Sequence, residues 1–176
     1  MKLTFFLFLF ILKTAYSQAN EVASILTNCK QNVVLSNDFS TKLPQTETTL
    51  LLPEKWCADF YGELPMLHAQ KNDSAFSFNL IANQAWDSFP KGELFILLKK
   101  SKDVFSFKEF NYHNHTFLLT EQAENKYQLH YHIDDSEEFE NRWTWVFKFK
   151  LENTSNVNIL CEVNFIIKQI VETYDN

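Results

Sequence analysis

Residues 142–168 read RWTWVFKFKLENTSNVNILCEVNFIIK, and this stretch decides the predicted fold. Apolar residues recur at every second position from Trp143 to Leu151, and Thr144, Lys148 and Lys150 lie between them. Because the side chains of a strand point alternately to its two faces, this run predicts a half-buried β-strand. Residues 159–168 alternate in the same way and predict a second strand, with one face formed by Cys161, Val163, Phe165 and Ile167.

The two runs predict a β-hairpin closed by the polar residues 152–158. Antiparallel pairing would place Phe149 opposite Cys161, Phe147 opposite Val163, and Trp145 opposite Phe165, all on one face. A hairpin with one apolar face needs a second layer to cover it. We therefore expect the remainder of the chain to supply that layer.

Several further short strands are indicated elsewhere in the chain. Residues 75–82 alternate cleanly, residues 93–99 and 104–110 are apolar runs, and residues 112–120 and 126–133 predict a hairpin. Residues 31–35 and 46–52 are strand candidates, 20–28 is a weak candidate for a short helix, and 37–45 and 56–62 have the composition of loops. Short antiparallel strands without a long helix predict a β-sandwich or small barrel, in a single domain over residues 18–176.

Residues 1–17 have the three parts of a secretory signal peptide. Lys2 is followed by an apolar run from Leu3 to Leu12, and Ala15 and Ser17 are the small residues that signal peptidase reads. The run is too short to span a bilayer, and no later stretch approaches the required length. We expect the mature protein to be secreted and extracellular.

The charge of the chain argues against two classes of partner. Removal of residues 1–17 lowers the number of basic residues from 16 to 14 against 22 acidic residues, which gives a net charge near −8. Arg142 is the single arginine. An acidic chain of this kind is not expected to bind nucleic acid or an anionic membrane surface.

Three sequons fit a secreted chain, and their acceptor residues are Asn72, Asn114 and Asn153. Asn153 falls in the loop between the two predicted strands of residues 143–151 and 159–168. We predict glycosylation at all three residues if the host cell glycosylates.

Four of the five histidines form two pairs, His113 with His115 and His130 with His132. One register of the hairpin would collect all four on one face as a zinc or copper site. The alternation of apolar residues favours a pairing shifted by one residue, because only that register puts these side chains on one face: Phe117, Leu119, Tyr127, Leu129 and Tyr131. The shifted register places the two histidine pairs on opposite faces. We therefore predict no metal site.

The sequence contains no pattern that indicates catalysis. It has no nucleophile motif, phosphate-binding loop or Cys-x-x-Cys pair. The acidic residues between Asp134 and Glu140 do not have the spacing of a calcium loop. We predict a protein without catalytic residues, cofactor or metal.

Residues 127–167 resemble the C-terminal half of the lipid-recognition (ML) family, which includes mite-allergen-type proteins and a lysosomal sterol carrier. The matching features are a tyrosine that opens a strand (Tyr127), an alternating strand that ends Phe149-Lys-Leu151, and a strand with one cysteine, Ile159-Leu-Cys-Glu-Val-Asn-Phe165. Cys29, shortly after the signal, also matches. The family's mid-chain disulfide has no counterpart, because no cysteine lies between Cys57 and Cys161.

The resemblance implies an immunoglobulin-like sandwich that binds a lipid or sterol between its sheets, and a disulfide from Cys29 to Cys161. Three cysteines allow at most one internal bridge. The rival pairing, Cys29 with Cys57, would leave Cys161 as a buried thiol.

Taken together, these features predict an all-β, antiparallel, immunoglobulin-like β-sandwich that binds an apolar small molecule and is not an enzyme. The ligand-binding side chains would be Phe76, Phe78, Leu80, Trp145, Phe147, Phe149, Val163 and Phe165. They would line an elongated cavity that opens near residues 86–90 or 134–140. The alternative is a secreted module with a closed core that binds another protein through its loops or an exposed edge.

Overall fold

The computed structural model describes residues 18–43, 46–61, 66–73, 76–86, 93–112, 115–132, 143–151 and 157–174. Within these ranges the chain is mostly β, and its strands form two antiparallel sheets. Helix α1 spans 18–27. The remaining elements, in chain order, are β1 (Leu35–Lys42), β2 (Thr49–Pro53), β3 (Trp56–Tyr61), β4 (Met66–Asp73), β5 (Phe76–Trp86), α2 (Glu93–Lys100), β6 (Ser106–Tyr112), β7 (His115–Ala123), β8 (Lys126–His132), β9 (Trp143–Lys150) and α3 (Val157–Tyr174).

The larger sheet has seven strands in the order β3-β4-β5-β9-β8-β7-β6, and β1 pairs with β2 in a smaller sheet. Strand β9 is central. Its Phe147 lies opposite Ala82 of β5 on one side and Leu129 of β8 on the other. Trp145, Phe147 and Phe149 are buried while Lys148 and Lys150 are exposed, so the predicted strand and its two faces are confirmed.

The second half of the predicted hairpin is wrong. Residues 159–168 belong to helix α3, so the expected partners of Phe149, Phe147 and Trp145 are instead residues of β5 and β8. Six of the eight buried residues of α3 are spaced by three, four and seven positions, as one face of a helix requires: Ile159, Val163, Ile166, Ile167, Ile170 and Val171. Val163 and Ile167, two of the alternating residues, are four positions apart and therefore also share the buried face of the helix.

Helix α2 is the second correction. Residues 93–99 were predicted to be a strand, because a short apolar run does not distinguish a strand from a helix. Glu93 lies in the first turn of α2 and Lys99 and Lys100 lie in the last, where their charges complement the helix dipole. Lys99 also forms an ion pair with Glu109 of β6.

Of the other predicted strands, loops and helix, some are wrong and some are confirmed. Residues 56–62 and 37–45 were expected to be loops but contribute β3 and most of β1, and the strand expected at 31–35 begins only at its last residue. The helix at 20–28, the strands near 46–52, 75–82 and 104–110, and the hairpin over 112–133 are confirmed. Asn125, with φ of 62°, takes the left-handed conformation at the β7–β8 turn, which asparagine tolerates.

One face of the seven-stranded sheet, the inner face, is covered by α1, α3 and the smaller sheet. Buried residues of α1 (Val22 and Leu26), of β2 (Leu50 and Leu52) and of α3 form one hydrophobic cluster with β5, β8 and β9. Gln169 of α3 also pairs with the backbone of β2, accepting a hydrogen bond from Leu51 N at 2.9 Å and donating one to Leu51 O at 3.0 Å. The layering is therefore sandwich-like, with a helix as part of the second layer.

The disulfide between Cys29 and Cys161 is confirmed, with a Cα–Cα distance of 5.3 Å. It joins the segment after α1 to the first turns of α3. Cys57 is a half-buried free thiol on β3, and its Sγ lies 3.7 Å from Gln70 O. No helix among the described residues is long and apolar enough to cross a membrane.

The two faces of β9 give a direct test of the packing. Phe147 has no exposed surface, so Phe147→Ala should lower the free energy of unfolding by about 3–5 kcal/mol. Lys148→Ala, on the exposed face, should change it by less than about 0.5 kcal/mol. Urea denaturation followed by tryptophan fluorescence measures both values, and comparable losses at the two positions would contradict the facing of β9.

Candidate functional site

Most of the residues predicted to bind ligand lie together on the inner face. Phe78, Leu80, Trp145, Phe147 and Phe149 are each at most 5% exposed, and Val163 of α3 is buried in the same cluster. Phe165 is half-buried on α3 and is not part of that cluster, because a helix turns it away from the positions that a strand would give it. The backbone of Phe76 begins β5, and its side chain lies outside the described part of the structure.

Aromatic rings form a band along the inner face, in two groups of contacting rings. Trp56 meets Phe78 at a centroid distance of 5.8 Å, and Phe78 meets Phe149 at 6.4 Å. Tyr127 then stacks on Phe149 at 5.7 Å. At the other end of β9, Trp145 contacts Tyr174 of α3 at 5.2 Å. Helix α3 therefore occupies at least part of the space between layers that the sequence assigned to a ligand.

Two polar atoms within this apolar band lack hydrogen-bond partners among the described residues. They are the hydroxyl of Tyr127 and the indole Nε1 of Trp145, and both are buried. Tyr127 is 1% exposed and Trp145 is 0% exposed. Buried polar groups in native proteins are nearly always hydrogen-bonded, and an unpaired one costs about 1–3 kcal/mol. Each atom is therefore a buried donor without an acceptor among the described residues.

The surroundings of Tyr127 keep its hydroxyl protonated. Burial, with smaller contributions from the carboxylates of Glu121 and Glu21, raises the pKa of Tyr127 to about 12. Glu121 is itself buried and accepts a hydrogen bond of 2.7 Å from Ser106 Oγ. Burial also raises the pKa of Tyr174 to about 12. Tyr127 and Trp145 therefore both present N–H or O–H donors at physiological pH.

Sequence reasoning did not assign Tyr127, Tyr174 or Trp56 to the site. Tyr127 was predicted to share a face with Leu129 and Tyr131, and this is confirmed. The alternation of apolar residues alone does not show that this face belongs to the core. Tyr174 was missed because its position depends on helix α3. Trp56 was missed because its segment was expected to be a loop.

A second polar arrangement links α3 to the sheet. Glu162 of α3 accepts hydrogen bonds from Lys71 Nζ, at 2.6 Å to each carboxylate oxygen, and from Trp56 Nε1 at 2.8 Å. The side chains of Lys71 and Glu162 are 11% and 18% exposed. Because Trp56 and Lys71 are opposite each other on β3 and β4, both reach the same carboxylate.

A cavity of about 230 Å³ adjoins this ion pair and the disulfide. Its lining includes Lys71, Cys161 and Glu162 together with residues 31–34, before β1, and residues 54–55. The lysine is already neutralised by the glutamate, so the arrangement has the features of a structural ion pair. It fixes the start of α3 to β3 and β4 beside the Cys29–Cys161 bridge.

The histidines follow the register that the sequence predicted. Phe117 is opposite Tyr131 and Leu118 is opposite His130, so His115 and His130 lie on opposite faces of the β7–β8 hairpin. His115 contacts the ring of Tyr131 at 5.1 Å. No group of three or more His, Cys, Asp or Glu residues in the described part of the chain is placed to hold a metal ion.

The remaining predicted sites fall mostly outside the described residues. Asn72 is exposed on β4, as a glycan acceptor must be. Asn114, Asn153, the acidic segment 134–140 and residues 87–90 lie outside the described ranges.

The buried ion pair predicts an asymmetric mutational response. Glu162→Gln should lower the free energy of unfolding by roughly 3–5 kcal/mol, because it leaves the Lys71 ammonium buried without its counter-charge. Glu172→Gln is the matched control, since Glu172 pairs with Lys168 at 3.6 Å on the exposed side of the same helix and should lose less than about 0.5 kcal/mol. Equal losses in urea denaturation would show that the buried pair has no special role.

Comparison of the chain with protein-family models, with characterised proteins and with solved structures found no significant match.

Proposed function

We propose that the chain is a secreted, non-enzymatic binding protein that holds an apolar small molecule, such as a lipid or sterol, against the inner face of β8 and β9. The single observation that carries this proposal is a pair of buried donors without an acceptor among the described residues, the Tyr127 hydroxyl and the Trp145 indole N–H, both beside aromatic rings of the inner face. The secreted location rests on the signal-like residues 1–17, and the Cys29–Cys161 disulfide is compatible with an oxidising compartment.

The chemistry of the two donors restricts the ligand. Both atoms donate hydrogen bonds, and neither has an acceptor among the described residues, so a ligand with acceptor oxygens would satisfy them. Tyr127 lies opposite Phe149 of β9, and Trp145 is four residues before Phe149 on the same strand. The backbone positions of Tyr127 and Trp145 are therefore about 13 Å apart along the strand direction. An elongated molecule with an oxygen near one or both ends, such as a fatty acid or a sterol, has this form.

The position of α3 decides how such a ligand enters. The helix contacts the sheet at both ends of its apolar face, through Glu162 near its start and Tyr174 at its last described turn. Tyr174 is half-buried, whereas Trp145, the ring that it contacts, is fully buried. We propose that the ligand lies between α3 and β8–β9, rather than between the two sheets of an immunoglobulin-like sandwich, and that the C-terminal end of α3 is where it enters.

A protein-binding module is the second candidate, and one observation favours it. Strand β6 is an edge of the seven-stranded sheet, and Phe105, immediately before it, is 65% exposed. An exposed edge strand can accept a strand from a partner through backbone hydrogen bonds. This function would require no ligand in the core.

The variant Tyr127→Phe distinguishes the two proposals, because it removes only the unpartnered hydroxyl. In ligand-free protein it should raise the free energy of unfolding by about 1–3 kcal/mol, since an unsatisfied buried group is lost. It should also weaken binding of the apolar ligand by about 3- to 10-fold, since one hydrogen bond to the ligand is lost. Tyr61→Phe is the control, because Tyr61 is 52% exposed on β3.

The ligand itself is found by solvent extraction of the secreted, purified protein followed by mass analysis. We expect a stoichiometric apolar molecule in the extract of the wild-type protein and less of it in that of Tyr127→Phe. A lipid-free extract, together with no effect of Tyr127→Phe on stability, would leave the protein-binding module as the function.

A further inference from the structure

The outer face of the central strands carries an unpartnered group of lysines. Lys126 of β8 is directly opposite Lys150 of β9, and Lys148 lies two residues along β9, opposite Ile81 of β5. Directly opposed side chains on neighbouring strands have Cβ atoms about 5 Å apart, and like charges in such positions destabilise a sheet. All three lysines are exposed.

No described side chain neutralises these lysines. Within the described part of the chain none of the three ammonium groups forms an ion pair or a hydrogen bond. The whole sequence has 22 acidic residues against 16 basic ones, so carboxylates are plentiful. A group of three uncompensated cations on the central strands of an acidic protein is therefore a local feature that favours an external anion.

The lysines surround a shallow concavity of about 300 Å³. Its lining includes Ile81, which is 37% exposed, and the amide-bearing residues Asn79, Gln122 and Gln128. None of the described residues that line it is acidic. Tyr127 and Phe149 complete the lining, so the concavity combines three cations and three neutral amides with a largely apolar surface.

We propose that this face binds a short sulfated saccharide. Lysine ammonium groups form charge-assisted hydrogen bonds with sulfate oxygens. Side-chain amides both donate and accept hydrogen bonds, as sugar hydroxyls require, and the exposed part of Ile81 can pack against the C–H face of a sugar ring. The cationic, amide and aliphatic groups of the concavity each have a counterpart in this class of ligand.

The net charge of the chain favours a compact ligand over an extended anionic surface. The Debye length is about 8 Å at physiological ionic strength, so a short saccharide at the concavity experiences mainly the three lysines. A membrane or a nucleic acid would also face the remaining surface of a chain with net charge −6 and would be repelled by it. This proposal concerns the outer face and does not depend on a ligand in the core.

The test uses a heparin-derived tetrasaccharide and isothermal titration calorimetry on the full secreted protein. The triple variant Lys126→Gln, Lys148→Gln, Lys150→Gln should weaken binding by about tenfold or more, since the charge-assisted contacts are lost. The matched control is Lys100→Gln, Lys102→Gln, Lys108→Gln, which removes the same charge from exposed lysines elsewhere and should change binding by less than about twofold.

Two further measurements decide whether the site recognises sulfate on a sugar. The same tetrasaccharide without its sulfate groups should bind about tenfold more weakly or not at all. Thermal unfolding of the lysine triple variant should occur at or above the wild-type temperature, because the repulsion between Lys126 and Lys150 is relieved. Equal weakening by both triple variants, no binding of the sulfated tetrasaccharide, or binding only to vesicles of anionic phospholipid would each overturn the proposal.

Discussion

The packing of a long apolar helix against the aromatic face of the central strand is the interaction on which the rest of the structure depends. Helix α3 buries Val163, Ile166, Ile167 and Ile170 in the same cluster as Trp145 and Phe147 of β9. Three specific contacts hold it in place: the disulfide from Cys161 to Cys29, the Glu162 carboxylate that Lys71 and Trp56 share, and the Gln169 amide that pairs with β2. The hydrophobic term supplies most of the stabilisation, and the polar contacts select one orientation of the helix.

This arrangement gives the two faces of β9 different chemistry. The inner face presents the aromatic side chains of Trp145, Phe147 and Phe149, and the buried donors without a described acceptor are the indole N–H of Trp145 and, on the neighbouring strand, the hydroxyl of Tyr127. The outer face presents Lys148 and Lys150, opposite Ile81 and Lys126 on the adjacent strands. Because neighbouring residues of a strand point to opposite faces, one eight-residue strand contributes to both proposed binding sites. A ligand on one face would not exclude a ligand on the other.

The sequence predicted those features that depend on local alternation and missed those that depend on tertiary context. The facing of β9, the β7–β8 hairpin and its histidine register follow from period-two patterns, which a strand satisfies without reference to its neighbours. Helix α3 was missed because β-branched residues such as Val163, Ile166 and Ile167 favour strands, and only packing against the sheet overrides that preference. The consequence for the candidate site was direct: six of the eight predicted residues share one core, but Phe165 does not, and Tyr127 and Tyr174 were not among them.

The central claim, that α3 rather than a second hairpin strand covers β9, is tested most directly by nuclear magnetic resonance of the isotopically labelled protein. We expect helical Cα and Cβ chemical shifts throughout residues 157–174 and nuclear Overhauser contacts between the rings of Trp145 and Tyr174, whose centroids are 5.2 Å apart. Extended-strand shifts over residues 159–168, together with backbone contacts between Phe149 and Cys161, would contradict it.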